Sequence, residues 1–467
     1  MLQLAEYGNI RILNTELFIM IKKIALGLFG SFIILIVVAA FLGFPPAFIL
    51  NAPGVATGIG SKLLCSSRFV SGFSAQQSFD DLVQYSPLLD LLEVSTDEKL
   101  KIVKTSFLGI STKTASYIPG LGCSVDYPAY PQRQQLETQS TASSSGLWPL
   151  GTKIADLRAD MQALLESQVK RDNAAGLNTR ALLVVHNGSI LGEVYAQGAD
   201  AETPLLGWSM AKSLTSVMLG NLELRGLLDL DSSPEFFEWL SDKRSNIKIT
   251  DLLTMSDGLD FSEEYNPGDD ATTMLFTSPS ASDFTIARPL AHEPGLQFNY
   301  SSGTANVLSR IYLDVLGGPQ QSYDDYKVNI SGPLGFQNSV FEVDASGAFF
   351  GSSYLYASAR DWARLGQLMV NGGSINGRAI VTQDWISRAT APNGTKNQKA
   401  YGYQWWLNRG NEELRWSDIP EDAYAAQGNR QQNMMIVPSK DVVIVRLGWT
   451  AGRYPINQNF SEIIAAL

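Results

Sequence analysis

An uncharged apolar run, Ile24 to Leu42, follows Lys22 and Lys23. It has the roughly 18 or more residues that a membrane-crossing helix needs. Arg11, Lys22 and Lys23 lie on its N-terminal side, so the positive-inside rule places that end in the cytoplasm and the rest of the chain outside. A cleaved signal has a shorter apolar stretch, about 7–15 residues, and a small-x-small cleavage site. Val38-Ala39-Ala40 is a weak version of that site, and an uncleaved anchor is the expectation; Met20 is an alternative start. Beyond it, Phe79 to Leu92 patterns as a helix, Lys101 to Leu108 alternates like a strand, and Thr114 to Ile118 is a second candidate strand. Pro131 to Ser145 is rich in Gln, Ser and Thr with almost no large apolar residue, the composition of a linker. The predicted organisation is a stub and transmembrane anchor (1–50), a small α/β extension (51–130), a linker (131–147) and a main domain (148–467).

The main domain opens with a predicted helix, Ile154 to Val169. Ala181 to Val185 and Ile190 to Tyr195 flank His186-Asn187-Gly188-Ser189, and two β-rich runs around Asn-Gly signal a hairpin. Asn433 to Val437 and Asp441 to Leu447 flank Pro438-Ser439-Lys440 in a second hairpin, and an amphipathic helix runs from about Asn457 to Leu467. Between the hairpins the segments are mostly helical or irregular. Trp362 to Val370 is a helix stopped by Asn371-Gly372-Gly373, and Ser209 to Leu222 is a helix with Met210, Leu214, Val217 and Met218 on its apolar face. Antiparallel strands at both ends with helices between them describe an α+β fold, an antiparallel sheet flanked by helices, and not alternating βαβ units.

The net charge of −11 argues against nucleic acid or an anionic membrane surface as the main partner. The two cysteines, Cys65 and Cys123, both follow the anchor. In an exported protein such a pair suggests one disulfide; two buried free thiols are the alternative. No His-Glu-x-x-His or paired-cysteine spacing supports a metal.

The candidate chemistry centres on Ser209-Met210-Ala211-Lys212. On a helix, Ser209 and Lys212 share one face. A serine hydroxyl needs a base to become a nucleophile, and a desolvated lysine becomes one because burial disfavours its charged form. Helix N-terminal N–H groups are suited to an oxyanion. The spacing is common by chance and recurs at Ser245-Asn246-Ile247-Lys248, which opens no apolar helix and reads as incidental. Tyr300, in Phe298-Asn299-Tyr300-Ser301-Ser302-Gly303, is either a proton relay or an ordinary half-buried tyrosine. Gln427-Gly428-Asn429, before the last hairpin, is either a strand edge where backbone approaches a ligand and offers a second oxyanion donor or a plain turn. Only His186 and His292 exist, and no Gly-x-Ser-x-Gly elbow surrounds Ser209. Trp208, Trp405 and Trp406 are candidates for pocket or core.

The order Ser-x-x-Lys, Tyr, then a Gly-containing strand edge resembles the serine β-lactamase-related hydrolases, in particular their 6-aminohexanoate-dimer hydrolase and esterase branch. Ile249 to Leu259, Pro294 to Leu308, Ser358 to Gly373 and Tyr401 to Trp406 extend the resemblance over about Trp148 to Leu467, and the region around Cys65 and Gly120-Leu121-Gly122-Cys123 resembles the N-terminal extension of membrane-anchored bacterial members. The resemblance implies a β-lactamase/transpeptidase-like fold with an all-helical subdomain. It implies Ser209 as acylated nucleophile, Lys212 as general base, Tyr300 as relay, the backbone N–H groups of Ser209 and Asn429 as oxyanion hole, and Tyr265 and Gly428 at the substrate. Two departures stand out. Gln427-Gly428-Asn429 lacks the lysine that β-lactamases carry in this third motif, and the tyrosine motif ends in Ser302 where they have asparagine. Both disfavour β-lactam hydrolysis and leave small-molecule esters or linear amides as substrates. The expected protein is thus a single-pass inner-membrane enzyme facing the periplasm, without metal or organic cofactor. The alternatives are a cell-wall D-amino-acid peptidase, a β-lactamase, and a catalytically weak sensor or scaffold.

Overall fold

The computed structural model describes residues 22–23, 46–139 and 145–467; the expected anchor, Ile24 to Leu42, lies outside the described residues. Helix α1 (Pro46–Phe69) starts inside the expected 1–50 segment and runs into the extension, followed by α2 (Ala75–Tyr85) and strands β1 (Leu92–Asp97), β2 (Ile102–Phe107), β3 (Ser111–Ile118) and β4 (Gly122–Val125), an antiparallel meander in chain order. The helix expected from Phe79 to Leu92 starts earlier and stops sooner. Ser74 accepts from the Gln77 N–H as N-cap, and Pro87 opens a separate 3-10 turn, Pro87–Leu91.

Helix α1 was not legible in the sequence, being interrupted by Pro53, Gly54, Gly58 and Gly60. Tertiary packing explains it. A Cβ on Gly58 would lie 2.2 Å from the Phe276 carbonyl oxygen, and one on Gly60 would lie 2.5 Å from Leu92. Bare backbone lets α1 fit between the meander and the short helix Asp270–Thr277. The stretch Ala47–Phe69 is long and apolar enough to cross a membrane, yet 56% of its most apolar window is buried inside the protein. Its Lys62 forms a buried ion pair with Glu342, and Cys65 forms a disulfide with Cys123, with Cα atoms 6.0 Å apart. Here it is a core helix.

The main region contributes α3 (Ala159–Ala174), β5 (Thr179–His186), β6 (Ser189–Tyr195), α4 (Ala211–Leu224), α5 (Ser302–Leu316), α6 (Ala359–Val370), β7 (Trp406–Leu407), β8 (Tyr424–Gly428), β9 (Gln432–Val437), β10 (Val442–Gly448) and α7 (Ile456–Ala465). Its six-stranded sheet runs β7-β8-β9-β10-β5-β6 and is antiparallel throughout. Both expected hairpins are present, and Asn187 and Gly188 both take positive φ, 49° and 71°, as a tight hairpin turn requires. Successive residues of β5 serve two cores. Ala181, Leu183 and Val185 pack on the side of α4 and α6, while Leu182 and Val184 pack on the side of α3 and α7. Helix α3 is shifted from the expected Ile154–Val169. The Arg158 N–H donates to the Leu191 carbonyl, which holds the chain extended against β6 up to that point. At the far end buried Asp172 accepts from Thr179.

Candidate active site

Ser209 sits in a 3-10 turn, Trp208–Met210, that leads directly into α4. Residues 211–222 of α4 are all buried, so the helix is held by packing on every side. The chain enters the turn through Gly207, where a Cβ would meet the Trp362 ring at 2.2 Å, and through Trp208 at φ 48°. A tryptophan in the left-handed region is a strained residue that its surroundings must hold in place. Trp208 is wedged among Tyr85, Tyr354 and Trp449, with ring centroids 5.9, 6.0 and 6.2 Å away.

Lys212 lies one turn on and is 1% exposed. Its Nζ is 3.0 Å from Ser209 Oγ, 3.0 Å from Ser302 Oγ and 3.1 Å from the Ser352 carbonyl oxygen. Desolvation lowers its pKa to about 8, with the negative charge of Glu263 working the other way. Tyr300, just before α5, brings its ring within 4.8 Å of Lys212 Nζ and stacks on Trp406 at 5.3 Å. Burial, chiefly, raises its pKa, and a hydrogen bond to Ser209 opposes that. The hydroxyl therefore stays protonated at neutral pH.

The third motif completes the wall. A Cβ on Gly428 would fall 2.1 Å from the Gly207 carbonyl oxygen, so only glycine lets the end of β8 lie against the turn that carries Ser209. Ser209, Tyr300, Gly428, Asn429, Tyr265 and Glu263 line one open pocket of about 340 Å³. All of the site residues expected from the sequence, except the two cysteines, thus surround one cavity or, for Lys212, lie directly beneath it. The duplicate Ser245-x-x-Lys248 does not join them: Ser245 donates to the Asp242 carbonyl in a surface turn. His292 is exposed. The three tryptophans divide, with Trp406 in the pocket and Trp208 and Trp405 in the core. Among the described residues no cluster of three or more His, Cys, Asp or Glu is placed to hold a metal ion.

The family profile described as Beta-lactamase matches residues 161–456. The chain belongs to the beta-lactamase family. It is 26% identical over 299 residues to a 6-aminohexanoate-dimer hydrolase of Paenarthrobacter ureafaciens, covering 58% of this chain and 72% of that protein. A proposed 6-aminohexanoate-dimer hydrolase from Bacillus anthracis matches in structure with a TM-score of 0.52 at 19% identity, over 72% of this chain and 88% of that one. EstCE1, a hydrolase with promiscuous acyltransferase activity, matches with a TM-score of 0.54 at 15% identity, over 66% of this chain and 98% of that one. These structural likenesses show the fold, the β-lactamase/transpeptidase-like α+β arrangement. The family and the hydrolase relative make the protein a serine hydrolase.

Three features of this β-lactamase-family site were missed in the sequence. Glu263 accepts from the Ser302 N–H at 2.6 Å, from Ser302 Oγ at 2.5 Å and from the Tyr265 hydroxyl at 2.9 Å. It stands between residues quoted for the Tyr265 segment, but nothing in its spacing points 39 positions along the chain to Ser302. Arg415, packed over Trp406 at 4.1 Å, donates to Gln427 and lines the pocket. It gives the rim a cation that the third motif itself lacks. Tyr85, from the end of α2, stacks on Trp208 and hydrogen-bonds the Asn429 side chain, and Arg430 donates to the Gln84 carbonyl. The extension therefore touches the cleft at Ser209.

Proposed function

We propose that the protein is a membrane-anchored, periplasm-facing serine hydrolase that cleaves ester or linear amide bonds through an acyl-Ser209 intermediate. The observation that carries this is the buried Lys212 amine, 3.0 Å from Ser209 Oγ at the base of an open pocket. Charged, Lys212 donates three N–H bonds, to Ser209, Ser302 and the Ser352 carbonyl; the base is the fraction that has lost one of these protons. The Glu263 carboxylate accepts only, so the Ser302 hydroxyl donates to it and offers its lone pair to Lys212. A neutral Lys212 spends its two N–H bonds on Ser302 and the Ser352 carbonyl. Its lone pair is left facing the Ser209 O–H.

Ser209 Oγ then attacks the carbonyl as its proton passes to Lys212. The oxyanion lies between the backbone N–H groups of Ser209 and Asn429. Tyr300 relays the proton to the leaving alcohol or amine, and water, deprotonated by the same groups, releases the acid. Each step uses protein groups and water. Tyr265 and Gly428 flank the bound substrate. The run Ile24 to Leu42 anchors the chain, and the regions 51–130 and 148–467, joined by 131–147, act together outside the membrane.

A fluorescent fluorophosphonate, followed by mass mapping, tests the centre. The adduct is expected on Ser209 and on no other residue. Ser209→Ala abolishes labelling and turnover, and Lys212→Ala lowers turnover by about 10²–10⁴-fold. Full activity of Ser209→Ala on any good substrate removes the mechanism. Faster turnover of penicillins than of short esters or linear amides would keep the mechanism and overturn the substrate assignment.

A further inference from the structure

A second cavity, of about 390 Å³, lies next to the catalytic pocket, and Tyr265 lines both. Helix α1 lines it through Ala52, Ala56 and Ile59, joined by Leu88, Leu89 and Phe276. No charged side chain lines it, in contrast to the catalytic pocket with Glu263 and Arg415. Tyr85 stands in its wall while touching Trp208 and the Asn429 side chain. The two cavities thus share Tyr265 in their walls, and Tyr85 reaches from the second one to Trp208 and Asn429 beside Ser209; the walls of the second belong mostly to the extension.

We infer that this groove binds a linear hydrocarbon chain of the substrate, so that the bonds cleaved are esters or amides of long-chain aliphatic compounds. The inference rests on the reading of Ser209 as nucleophile and deepens it. The size lies in the ordinary range for small-ligand sites, about 300–1,000 Å³. The wall carries no charge and is mainly aliphatic and aromatic, with Ser86, Asn266 and Thr272 as its short polar members, and each CH₂ buried against its apolar part is worth about a fourfold gain in binding. Ala52 and Ala56 stand one helical turn apart on the same wall, and their small side chains leave the room that the chain fills. Near the groove, Leu50 and Leu88 are 62% and 55% exposed, and α1 starts a few residues after the apolar run Ile24 to Leu42. The proposed anchor, close in sequence to α1, thus keeps the groove near a bilayer into which amphiphiles partition. The reaction is hydrolysis: the carbonyl carbon bonds to Ser209 Oγ, its bond to the leaving oxygen or nitrogen breaks with a proton delivered to that atom, and one water restores Ser209 and yields the acid.

The test uses the full chain in phospholipid nanodiscs and two substrate pairs. One is p-nitrophenyl dodecanoate against p-nitrophenyl acetate, with the chain on the acyl side. The other is dodecyl acetate against ethyl acetate, with the chain on the leaving group. The readout is the long-to-short ratio of kcat/KM, compared between the natural protein and Ala56→Trp. Partition into the bilayer is common to both proteins, so the comparison isolates the groove. A fall in the ratio of more than threefold in either pair supports the inference, and the pair that responds tells which side of the bond carries the chain. Leu88→Arg, at the exposed rim, gives the same fall should the tryptophan variant not fold. A ratio within threefold of the natural protein in both pairs and for every variant that folds overturns it; a groove occupied by residues 24–42 of the chain itself gives that result. Absence of Ser209-dependent turnover on all four esters removes the catalytic reading instead, and the inference with it.

Discussion

At the scale of residues, the proposed chemistry rests on a short chain of hydrogen bonds, Glu263–Ser302–Lys212–Ser209. Burial moves Lys212 down to about 8, so at neutral pH only a minor fraction is deprotonated. The base form is the active one, and kcat/KM should therefore rise with pH through about 8 and level off above it. A pH–rate profile on a short ester checks this, and a rate that falls through that region would exclude Lys212 as base. Glu263 holds the Lys212 pKa up by its charge and fixes the direction of the Ser302 hydroxyl. Glu263→Gln removes the charge, and its amide N–H lets that hydroxyl turn round. The limb should move to lower pH while the plateau drops. A limb that stays in place would show that the carboxylate charge does not reach the lysine.

At the scale of elements, α1 shows how packing overrides propensity. Gly54 and Gly58 are one turn apart on the same helix. A Cβ at Gly54 has its nearest neighbour 3.9 Å away, whereas one at Gly58 meets the Phe276 carbonyl at 2.2 Å. Gly54→Ala should be neutral or stabilise by about 0.5–1 kcal/mol, because alanine loses less backbone freedom. Gly58→Ala should destabilise by about 1–3 kcal/mol through overpacking against backbone that has nowhere to move. Thermal or denaturant unfolding of the two variants checks the pair, and equal effects would mean that α1 does not lie against Asp270–Thr277.

At the scale of the whole molecule, the extension and the hydrolase region share a core. Val55, Ile59 and Leu63 of α1 belong to the same apolar cluster as Leu206, Trp208 and Tyr354. The Cys65–Cys123 disulfide lies beside Glu342, which accepts from the Cys123 N–H at 2.7 Å and from Ser66 at 2.8 Å. Closing the 58-residue separation stabilises by roughly 4 kcal/mol in the chain-entropy model. Denatured, unreduced protein should show no free thiol and reduced protein two, and reduction should lower the unfolding midpoint. Because Trp208 sits in the shared core, ester turnover should fall along with stability. The anchor is tested by fractionation: the full-length chain should stay with membranes through high salt and carbonate. Mature protein in the soluble periplasm, cut near Ala40, would show a cleaved signal instead.

The sequence by itself determined the elements whose signals are local. The hairpin at Asn187-Gly188 follows from residues that accept positive φ. Helix α6 follows from its apolar period and its glycine stop, and the pairing of Ser209 with Lys212 from three-residue helical spacing. The fold class and Tyr300 were legible because those signals occur in a recognisable order. The tertiary structure decided what depends on distant neighbours. Helix α1 forms because a partner surface needs its glycines. Helix α3 starts late because Arg158 is bonded to β6. Glu263, Arg415 and Tyr85 reach the site from segments far apart in the chain, where no periodicity connects them. Even the lowered pKa of Lys212 is a tertiary property: the sequence supplies the amine, and burial on every side of α4 disfavours its charge.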